Sequence, residues 1–367
     1  MPRKKFTPVT YVVMAAAVLA VSIPGGSFLY NAGDGESCTR CHQIREPFEI
    51  WQASTHREVA CKECHGGTLT LDMNFHASNL RRLVKHVRGE VPPQVVLTRM
   101  EDVERVTAKC QQCHRQQYAA WMSGPHSTTY ARIFLDEKHN STRALMDDCF
   151  RCHGMHFEGG IGDLVTPVSN TGPWKLKRPE LADKPAIPCI ACHEIHRHGE
   201  PLAPFTPGAE TSAMDDEVAR PSIGLFDRRT RIHLVNDSKP LPRIFEGERE
   251  VKMAVDQRQA LCYQCHAPRA EMQARSGDDR TCTGVHEGIS CLACHDPHTG
   301  KAVASCATCH PKMSNCGMAI PRMMELMMSP ASPFDIHTVT CQNCHPKGVP
   351  ERRAAQAAPA RSPGAGS

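Results

Sequence analysis

The chain has 367 residues and a formal net charge of +4, and aromatic residues make up only 5% of it. That length is enough for two domains, but so few aromatic residues argue against a well-filled core made of protein alone. The 20 cysteines nearly equal the 21 histidines in number. This argues against an ordinary cytosolic enzyme, because that compartment keeps thiols reduced, and also against a pure disulfide scaffold.

An apolar run opens the chain. It extends from Val9 to Tyr30, follows three basic residues at positions 3–5, and is long enough to span a bilayer as a helix. The basic flank predicts that the N-terminus stays in the cytoplasm. We therefore predict a membrane anchor over residues 1–32. The alternative is a cleaved signal peptide, and under either interpretation the rest of the chain is exported to the periplasm from a bacterial inner membrane.

Nine copies of the motif Cys-x-x-Cys-His follow this run. The motif is the attachment signature of haem c: its two thiols bond to one edge of a haem and the adjacent histidine ligates the iron. Zinc knuckles, the alternative, need no histidine directly after the second cysteine. We therefore predict nine covalently attached haems. The motif cysteines are Cys38, Cys41, Cys61, Cys64, Cys110, Cys113, Cys149, Cys152, Cys189, Cys192, Cys262, Cys265, Cys291, Cys294, Cys306, Cys309, Cys341 and Cys344. The motif histidines are His42, His65, His114, His153, His193, His266, His295, His310 and His345.

Twelve histidines lie outside the motifs, and seven of them stand in repeated contexts. One context places a histidine just before a motif, the second places it three residues after a motif histidine, and the third places it after aromatic-x-x-Trp. Repeated placement favours a role as second axial ligand, commonly to a neighbouring haem; an exposed or propionate-bonding histidine is the alternative. The seven are His56, His126, His156, His196, His286, His298 and His337. Five weaker candidates without a repeated context are His76, His86, His139, His198 and His233.

Smaller features complete the set of candidates. Trp51 and Trp121 either stack on haem planes or simply pack. Cys282 and Cys316 fall outside every motif, and in an oxidising compartment a disulfide between them is plausible; two free thiols are the alternative. Seven good histidines for nine irons leave one or two haems open or ligated by methionine.

Residues 79–88 predict a short amphipathic helix. Leu80, Leu83, Val84 and Val87 have the spacing of one helical face, and basic residues occupy the other faces. Such a helix suits an anionic membrane surface. The alternative is a helix that docks on a haem domain.

The motifs divide the chain into two haem-bearing segments. Five motifs fall within 33–200 and four within 256–347, and the connector 201–255 contains no cysteine. The tail 348–367 is rich in Ala, Pro and Gly, which predicts disorder. We expect a mainly α fold with long loops, in which short helices follow the motifs and haems fill the core.

The N-terminal part resembles the NapC/NirT (NrfH-like) family of membrane-anchored multihaem quinol dehydrogenases. The anchor, the CTRCH string at 38–42, Trp51 with His56, and the CKECH string at 61–65 carry the resemblance, which covers roughly residues 6–155. It implies that quinol is oxidised beside the first haem at the membrane face. Family members carry an axial Met two positions after the first motif histidine, where this chain has Ile44. The remaining chain loosely resembles multihaem cytochromes of the nitrite-reductase and hydroxylamine-oxidoreductase-like group.

Two functions are compatible with these features. The first is electron transfer from the membrane quinol pool to a periplasmic redox protein or terminal reductase in anaerobic respiration. The alternative is a reductase for a small nitrogen or sulfur oxyanion at an open-site haem; ammonia-forming nitrite reductases mark that haem with Lys, whereas all nine motifs here end in His. Nucleic acid is not expected as a partner, because haem propionates would offset the positive charge. An oligomer is compatible with either function.

Overall fold

The computed structural model of the protein describes residues 7–31, 39, 42–65, 73–90, 99–196, 224–235, 240–268 and 270–348. Several predicted features lie outside these residues. They are the first pair of motif cysteines, Cys38 and Cys41, together with His198, the connector residues 201–223 and the tail from 349 onwards. The side chain of His76 also lies outside the described part.

Short helices separated by loops make up most of the described chain, and the prediction of a helix-rich, loop-rich fold is confirmed. Many of these helices begin or end within a haem motif. The helices are α1 (Pro8–Asn31), α2 (His42–Gln52), α3 (Cys61–His65), α4 (Met73–Val87), α5 (Met100–Cys113), α6 (Arg115–Met122), α7 (Tyr130–Phe134), α8 (Glu137–Thr142), α9 (Ile161–Leu164), α10 (Gln259–His266), α11 (Cys306–Cys309), α12 (Ile320–Met328) and α13 (Cys341–Cys344).

Side-chain caps explain where two of these helices begin. Thr129 precedes α7, and its hydroxyl oxygen accepts the backbone N–H of Arg132 at 3.4 Å. Asp136 precedes α8, and its carboxylate accepts the N–H of His139 at 2.8 Å. Each cap satisfies a backbone donor that has no partner inside the helix.

Strands are few and form two-stranded antiparallel ladders. β1 (Val165–Thr166) pairs with β2 (Lys175–Leu176), β3 (Gly224–Asp227) with β4 (Ile232–Val235), and β5 (Phe245–Glu246) with β6 (Arg249–Glu250). In the longest ladder Phe226 lies opposite His233. None of these ladders is long enough to supply a sheet core, so the packing depends on helices and loops.

The apolar run near the N-terminus forms α1, with Pro24 inside it. Side chains such as Val9, Val18 and Val21 are exposed. Across the part of the chain that the structure describes, no helix combines the length and the apolar character that crossing a bilayer requires. The predicted transmembrane helix is therefore not found there.

The chain divides into two compact units. The first comprises Met1–Pro204, Thr211–Pro240 and the short segment His298–Gly300. The second comprises Phe205–Glu210, Leu241–Pro297 and Lys301–Ser367. The connector predicted at 201–255 is thus shared between the two units, and three residues from the C-terminal half belong to the first unit.

The core of the first unit is a row of four aromatic rings. Tyr130, Phe134, Phe150 and Phe157 follow one another with ring centroids 5.3–5.7 Å apart, and Tyr130, Phe134 and Phe150 have no exposed surface. The guanidinium of Arg228 lies 4.5 Å above the Phe150 ring and donates to the Phe157 carbonyl oxygen at 3.0 Å. Four aromatic residues therefore form the centre of this core. The second unit has a smaller core around Ile244, Val251 and Tyr263.

Replacement of Phe150 by alanine should destabilise the first unit by about 3–5 kcal/mol, because a buried ring is lost and the cavity is not refilled. Urea unfolding of the holoprotein followed by circular dichroism measures the loss. Met122→Ala is the matched control, since Met122 is 48% exposed. Equal stability of the two variants would show that the aromatic row does not hold this unit together.

Candidate haem-binding sites

Each motif whose five residues are all described folds as a helical turn. In the third motif the backbone N–H of His114 donates to the carbonyl oxygen of Cys110 at 2.8 Å. Because residues i, i+3 and i+4 of such a turn share one face, both thiols and the imidazole lie on the same side. One edge of a haem can then bond to the two thiols while the imidazole ligates its iron. The same bond, at 2.9–3.0 Å, closes the motifs that begin at Cys149, Cys189, Cys291, Cys306 and Cys341.

Imidazole pairs show that the site residues fit haem iron. Two imidazole nitrogens on opposite sides of one metal, each about 2 Å away, put the ring centroids about 6 Å apart. Among the described residues, five pairs of histidine rings have centroid distances of 5.5–6.0 Å, and each of these pairs joins a motif histidine to a histidine outside the motifs. The pairs are His42 with His86, His114 with His56, His65 with His196, His193 with His298, and His295 with His337.

The pair of His65 and His196 shows how a ligand nitrogen is kept available. Nδ1 of His196 lies 2.9 Å from the carbonyl oxygen of Pro47, which is 149 residues earlier in the chain. A carbonyl oxygen only accepts hydrogen bonds, so Nδ1 must carry the proton and Nε2 keeps its lone pair for the metal. The two rings are nearly parallel, at 22°.

His86 is a ligand candidate that the repeated contexts missed. It lies in α4, with its ring centroid 5.5 Å from that of His42. Its Nδ1 is 2.9 Å from Oε1 of Gln43, the residue after His42. The residues around His86 are not repeated elsewhere in the sequence. Its position in the amphipathic helix was the one sequence feature that could have indicated a role as an iron ligand. The structure places His86 beside His42 of the first motif. At this motif the chain has Ile44 where members of the NapC/NirT family have an axial methionine.

A close backbone approach places His298 opposite His193. The two rings have centroids 6.0 Å apart and are almost parallel, at 9°. The neighbouring Thr299 passes so near Gly124 that a Cβ atom there would collide with the Thr299 carbonyl group. Gly300 has a φ of +63°, and a Cβ at this position would also meet Pro125. Glycine is therefore needed on both sides of this contact.

Burial keeps some of these histidines neutral. It lowers the pKa of His193 to about 4, and the nearby imidazoles of His298 and His233 add to the effect. A neutral imidazole is the form that ligates iron. His193 therefore needs no proton loss at neutral pH to bind a metal.

Neighbouring motifs of the first unit lie side by side. Helix α3 packs against α5, and α5 packs against the turn Cys189–Ala191. Burial raises the pKa of the Cys110 thiol to about 12, and the nearby thiols of Cys189 and Cys64 raise it further. The attachment sites of the second, third and fifth motifs are therefore adjacent.

The second unit repeats this adjacency. Helix α10 packs against the turn Cys291–Ala293. Burial raises the pKa of Cys294, with further contributions from the thiols of Cys309 and Cys306. The sixth, seventh and eighth motifs therefore form a second group of neighbouring attachment sites.

The remaining histidine candidates lie in varied surroundings. His156 is 2% exposed, and its ring stacks on Phe226 with centroids 4.3 Å apart. His286 lies near His310, and burial together with that neighbour lowers its pKa. His126 lies in a short helical turn at 125–127. His139 is exposed beside Asn140, and the ring of His233 contacts the carbonyl oxygen of Ile190 at 2.8 Å.

The two predicted tryptophans occupy matching positions. Trp51 packs on Phe48 with centroids 5.3 Å apart, and Trp121 packs on Tyr118 at 5.4 Å. Nε1 of Trp51 also donates to the Val59 carbonyl oxygen at 3.1 Å. The repeated aromatic-x-x-Trp string therefore forms the same aromatic pair twice, which gives both tryptophans a packing role.

Cys282 and Cys316 form no disulfide. Burial raises the pKa of Cys282 to about 12, and the thiol of Cys291 raises it further. Cys316 instead has its sulfur 3.1 Å from the hydroxyl of Ser314. Of the two alternatives, the structure has free thiols, which lie among different neighbours.

Comparison with known proteins agrees with this chemistry. Residues 33–200 match the family described as outer membrane cytochrome MtrC/MtrF-like, domains II/IV, and residues 238–296 match cytochrome c554 and c-prime. The cytochrome c-type protein NrfH of Wolinella succinogenes is 23% identical over 185 residues, which are 48% of this chain and 100% of that protein. No solved structure matches.

The matches support a multihaem c-type cytochrome. They imply haem c as the cofactor and electron transfer as the activity. They do not single out the NapC/NirT family, because two different families match and the NrfH relative is distant. The motif cysteines and the paired imidazoles would hold the haem groups. When bound, the haems would supply one-electron redox chemistry.

The holoprotein should carry one covalent haem for each motif. Intact-mass measurement should therefore give the mass of the chain plus nine haems. The double variant Cys189→Ser, Cys192→Ser should carry one haem fewer. Double substitution of Cys282 and Cys316 with serine is the control and should leave the number unchanged. A colourless protein that binds zinc instead would contradict the haem assignment.

Replacement of His196 by methionine should raise the reduction potential of a single haem, because histidine–methionine ligation gives higher potentials than two histidines. A redox titration followed in the Soret region detects the displaced one-electron step. His139→Met is the control, since His139 is exposed and bonds to Asn140. If both variants titrate like the wild type, His196 does not ligate the iron of the second motif.

Proposed function

We propose that this chain conducts electrons through c-type haems from membrane quinol to a periplasmic redox protein or terminal reductase. The observation that carries the proposal is the set of five imidazole pairs, each joining a motif histidine to one from elsewhere in the chain. Two imidazoles would occupy both axial positions of an iron. Such a haem can exchange electrons but offers no vacant position to a substrate.

Adjacency of the attachment sites supports conduction. Electron tunnelling slows exponentially as the gap between cofactors grows. Within the first unit the thiols of Cys64 and Cys189 lie near enough to Cys110 to raise its pKa, and within the second unit Cys294 lies near Cys306 and Cys309. Haems attached at these sites would be near neighbours. Each unit could therefore pass electrons along its own haems.

Helix α4, which lies beside the first motif, has an exposed apolar face that suits a membrane surface. Leu80, Leu83 and Val87 are 62%, 58% and 77% exposed. Arg82 and His86 lie on another side of the helix and contact the protein: Arg82 ion-pairs with Asp102 at 3.7 Å, and His86 faces the first motif. The helix thus carries a ligand candidate on one side and an apolar stripe on another.

The charges of α4 favour an anionic lipid surface as the partner of this stripe. Arg81, Lys85 and Arg88 accompany the apolar residues, and a basic amphipathic helix binds anionic headgroups while its apolar side enters the acyl boundary. Binding in this way would hold the first haem at the membrane face. Quinol, which is dissolved in the membrane, could then reach it, as the resemblance to the NapC/NirT family implies.

A menaquinol analogue should reduce the haems of the holoprotein in vesicles that contain anionic lipid. Haem reduction is followed by the α-band at matched protein and quinol concentrations. The proposal fails if quinol leaves the haems oxidised although dithionite reduces them. Catalytic reoxidation of the dithionite-reduced haems by nitrite or hydroxylamine, without any reaction with quinol, would favour the oxyanion reductase instead.

The double variant Leu83→Glu, Val87→Glu should bind anionic vesicles more weakly by about tenfold or more, since burying each such apolar side chain is worth about 1.5–3 kcal/mol. Vesicle co-sedimentation and the rate of quinol-driven reduction should fall together, while reduction by dithionite stays unchanged. Val168→Glu is the matched control, because Val168 is 45% exposed in the same unit. Wild-type binding by the double variant would exclude this side of α4 as the membrane contact.

A further inference from the structure

A carboxylate lies behind one ligand pair of the second unit. His337 faces His295 with ring centroids 6.0 Å apart and an angle of 13° between the planes. Nδ1 of His337 is 3.0 Å from Oδ1 of Asp335, which also accepts the backbone N–H of His337 at 2.9 Å. At neutral pH a carboxylate only accepts hydrogen bonds, so Nδ1 of His337 carries the proton and its Nε2 is available to iron.

The backbone around His337 is fixed on both sides. The backbone N–H groups of Thr338 and Val339 both donate to the Asp335 carbonyl oxygen, at 3.0 and 2.8 Å. The carbonyl oxygen of His337 in turn accepts the N–H of Thr283 at 2.9 Å. The carboxylate therefore meets an imidazole whose position is already defined, and it sets the rotation of the ring.

A second carboxylate accompanies the sixth motif. Oδ2 of Asp278 lies 2.9 Å from Nδ1 of His266. The other oxygen of the same carboxylate is 3.2 Å from the guanidinium of Arg280. Arg280 also lowers the pKa of Asp335, but it ion-pairs with Asp278. The influence of Asp278 on His266 should therefore be weaker than the influence of Asp335 on His337.

Ligand histidines of the first unit meet neutral acceptors instead. Nδ1 of His196 faces the backbone carbonyl oxygen of Pro47, and Nδ1 of His86 faces the amide oxygen of Gln43, both at 2.9 Å. A charged acceptor withdraws the Nδ1 proton more strongly than a neutral one and makes the imidazole a more basic ligand. A more basic ligand stabilises ferric over ferrous iron and lowers the reduction potential.

We propose that Asp335 is a positioning residue that orients His337, and that the charges of Asp335 and Asp278 lower the potentials of the haems attached at Cys291 and Cys262. The inference rests on the proposed haem-based function. It assigns these two haems lower potentials than those whose ligands meet neutral acceptors, with Asp335 having the larger effect. As the ambient potential falls, they would then accept electrons after the haems whose ligands meet neutral acceptors.

The test uses the full-length holoprotein and its redox titration. Asp335→Asn keeps an acceptor of the same shape but removes its charge, and should raise one one-electron step by about 60 mV, the equivalent of a tenfold change in the reduction equilibrium. Asp335→Glu restores the charge and should titrate like the wild type. Asp278→Asn should shift a different step by less, and Arg280→Gln should lower that step.

Two controls separate the hydrogen bond from a general effect of charge. Glu325→Gln removes one negative charge from an exposed residue of the same unit that ion-pairs with Arg322, and should shift nothing measurably. In a His337→Met background, Asp335→Asn should produce no further shift, because the two changes act through one ligand. Electron paramagnetic resonance should show the low-spin ferric signal retained in Asp335→Asn, or lost there and restored by Asp335→Glu.

The inference is overturned if Asp335→Asn shifts the titration no more than Glu325→Gln does while its low-spin signal stays intact. It is also overturned if the shift persists in the His337→Met background. These outcomes leave the proposed function untouched, because the haems would still be attached and reducible. A holoprotein without covalent haem would instead end the proposed function itself.

Discussion

The structure depends on one local bond, the hydrogen bond from a motif histidine to the carbonyl oxygen of the first motif cysteine. This bond closes a helical turn and sets two thiols and an imidazole on one face. Because the turn needs only five consecutive residues, it forms in helices such as α13 and in isolated turns such as Cys189–Ala191. A chain with a small aromatic core can therefore present many equivalent attachment sites without a large regular scaffold around each.

Facing imidazoles bring these local turns together with distant parts of the chain. A motif histidine is fixed by its own turn, but its facing imidazole comes from another part of the chain, as His196 does for His65. A haem between them would cross-link two distant segments and limit the freedom of the unfolded chain, as other cross-links do. This explains how long loops and two-stranded ladders are sufficient here. The aromatic row around Phe150 stabilises only the part of the first unit that contains it.

The attachment chemistry could be predicted from the sequence because it is local, whereas the pairing could not. Four of the seven histidines in repeated contexts, namely His56, His196, His298 and His337, fall opposite motif histidines. His156 shares a context with His196 and His298 yet stacks on Phe226, because the ladder of β3 and β4 brings that ring to it. His86 had no repeated context, and its role depends on how α4 lies beside Gln43. Which imidazole meets which motif is decided by the path of the chain, and sequence periodicity does not contain that information.

The short segment His298–Gly300 limits how this protein can be divided. These residues follow the seventh motif in sequence but belong to the first unit, where His298 faces His193. A fragment that ended at position 240 would contain all five N-terminal motifs and still lack one imidazole. Gene fusions or duplications that treat the two sequence halves as interchangeable modules would therefore separate His193 from the imidazole that faces it.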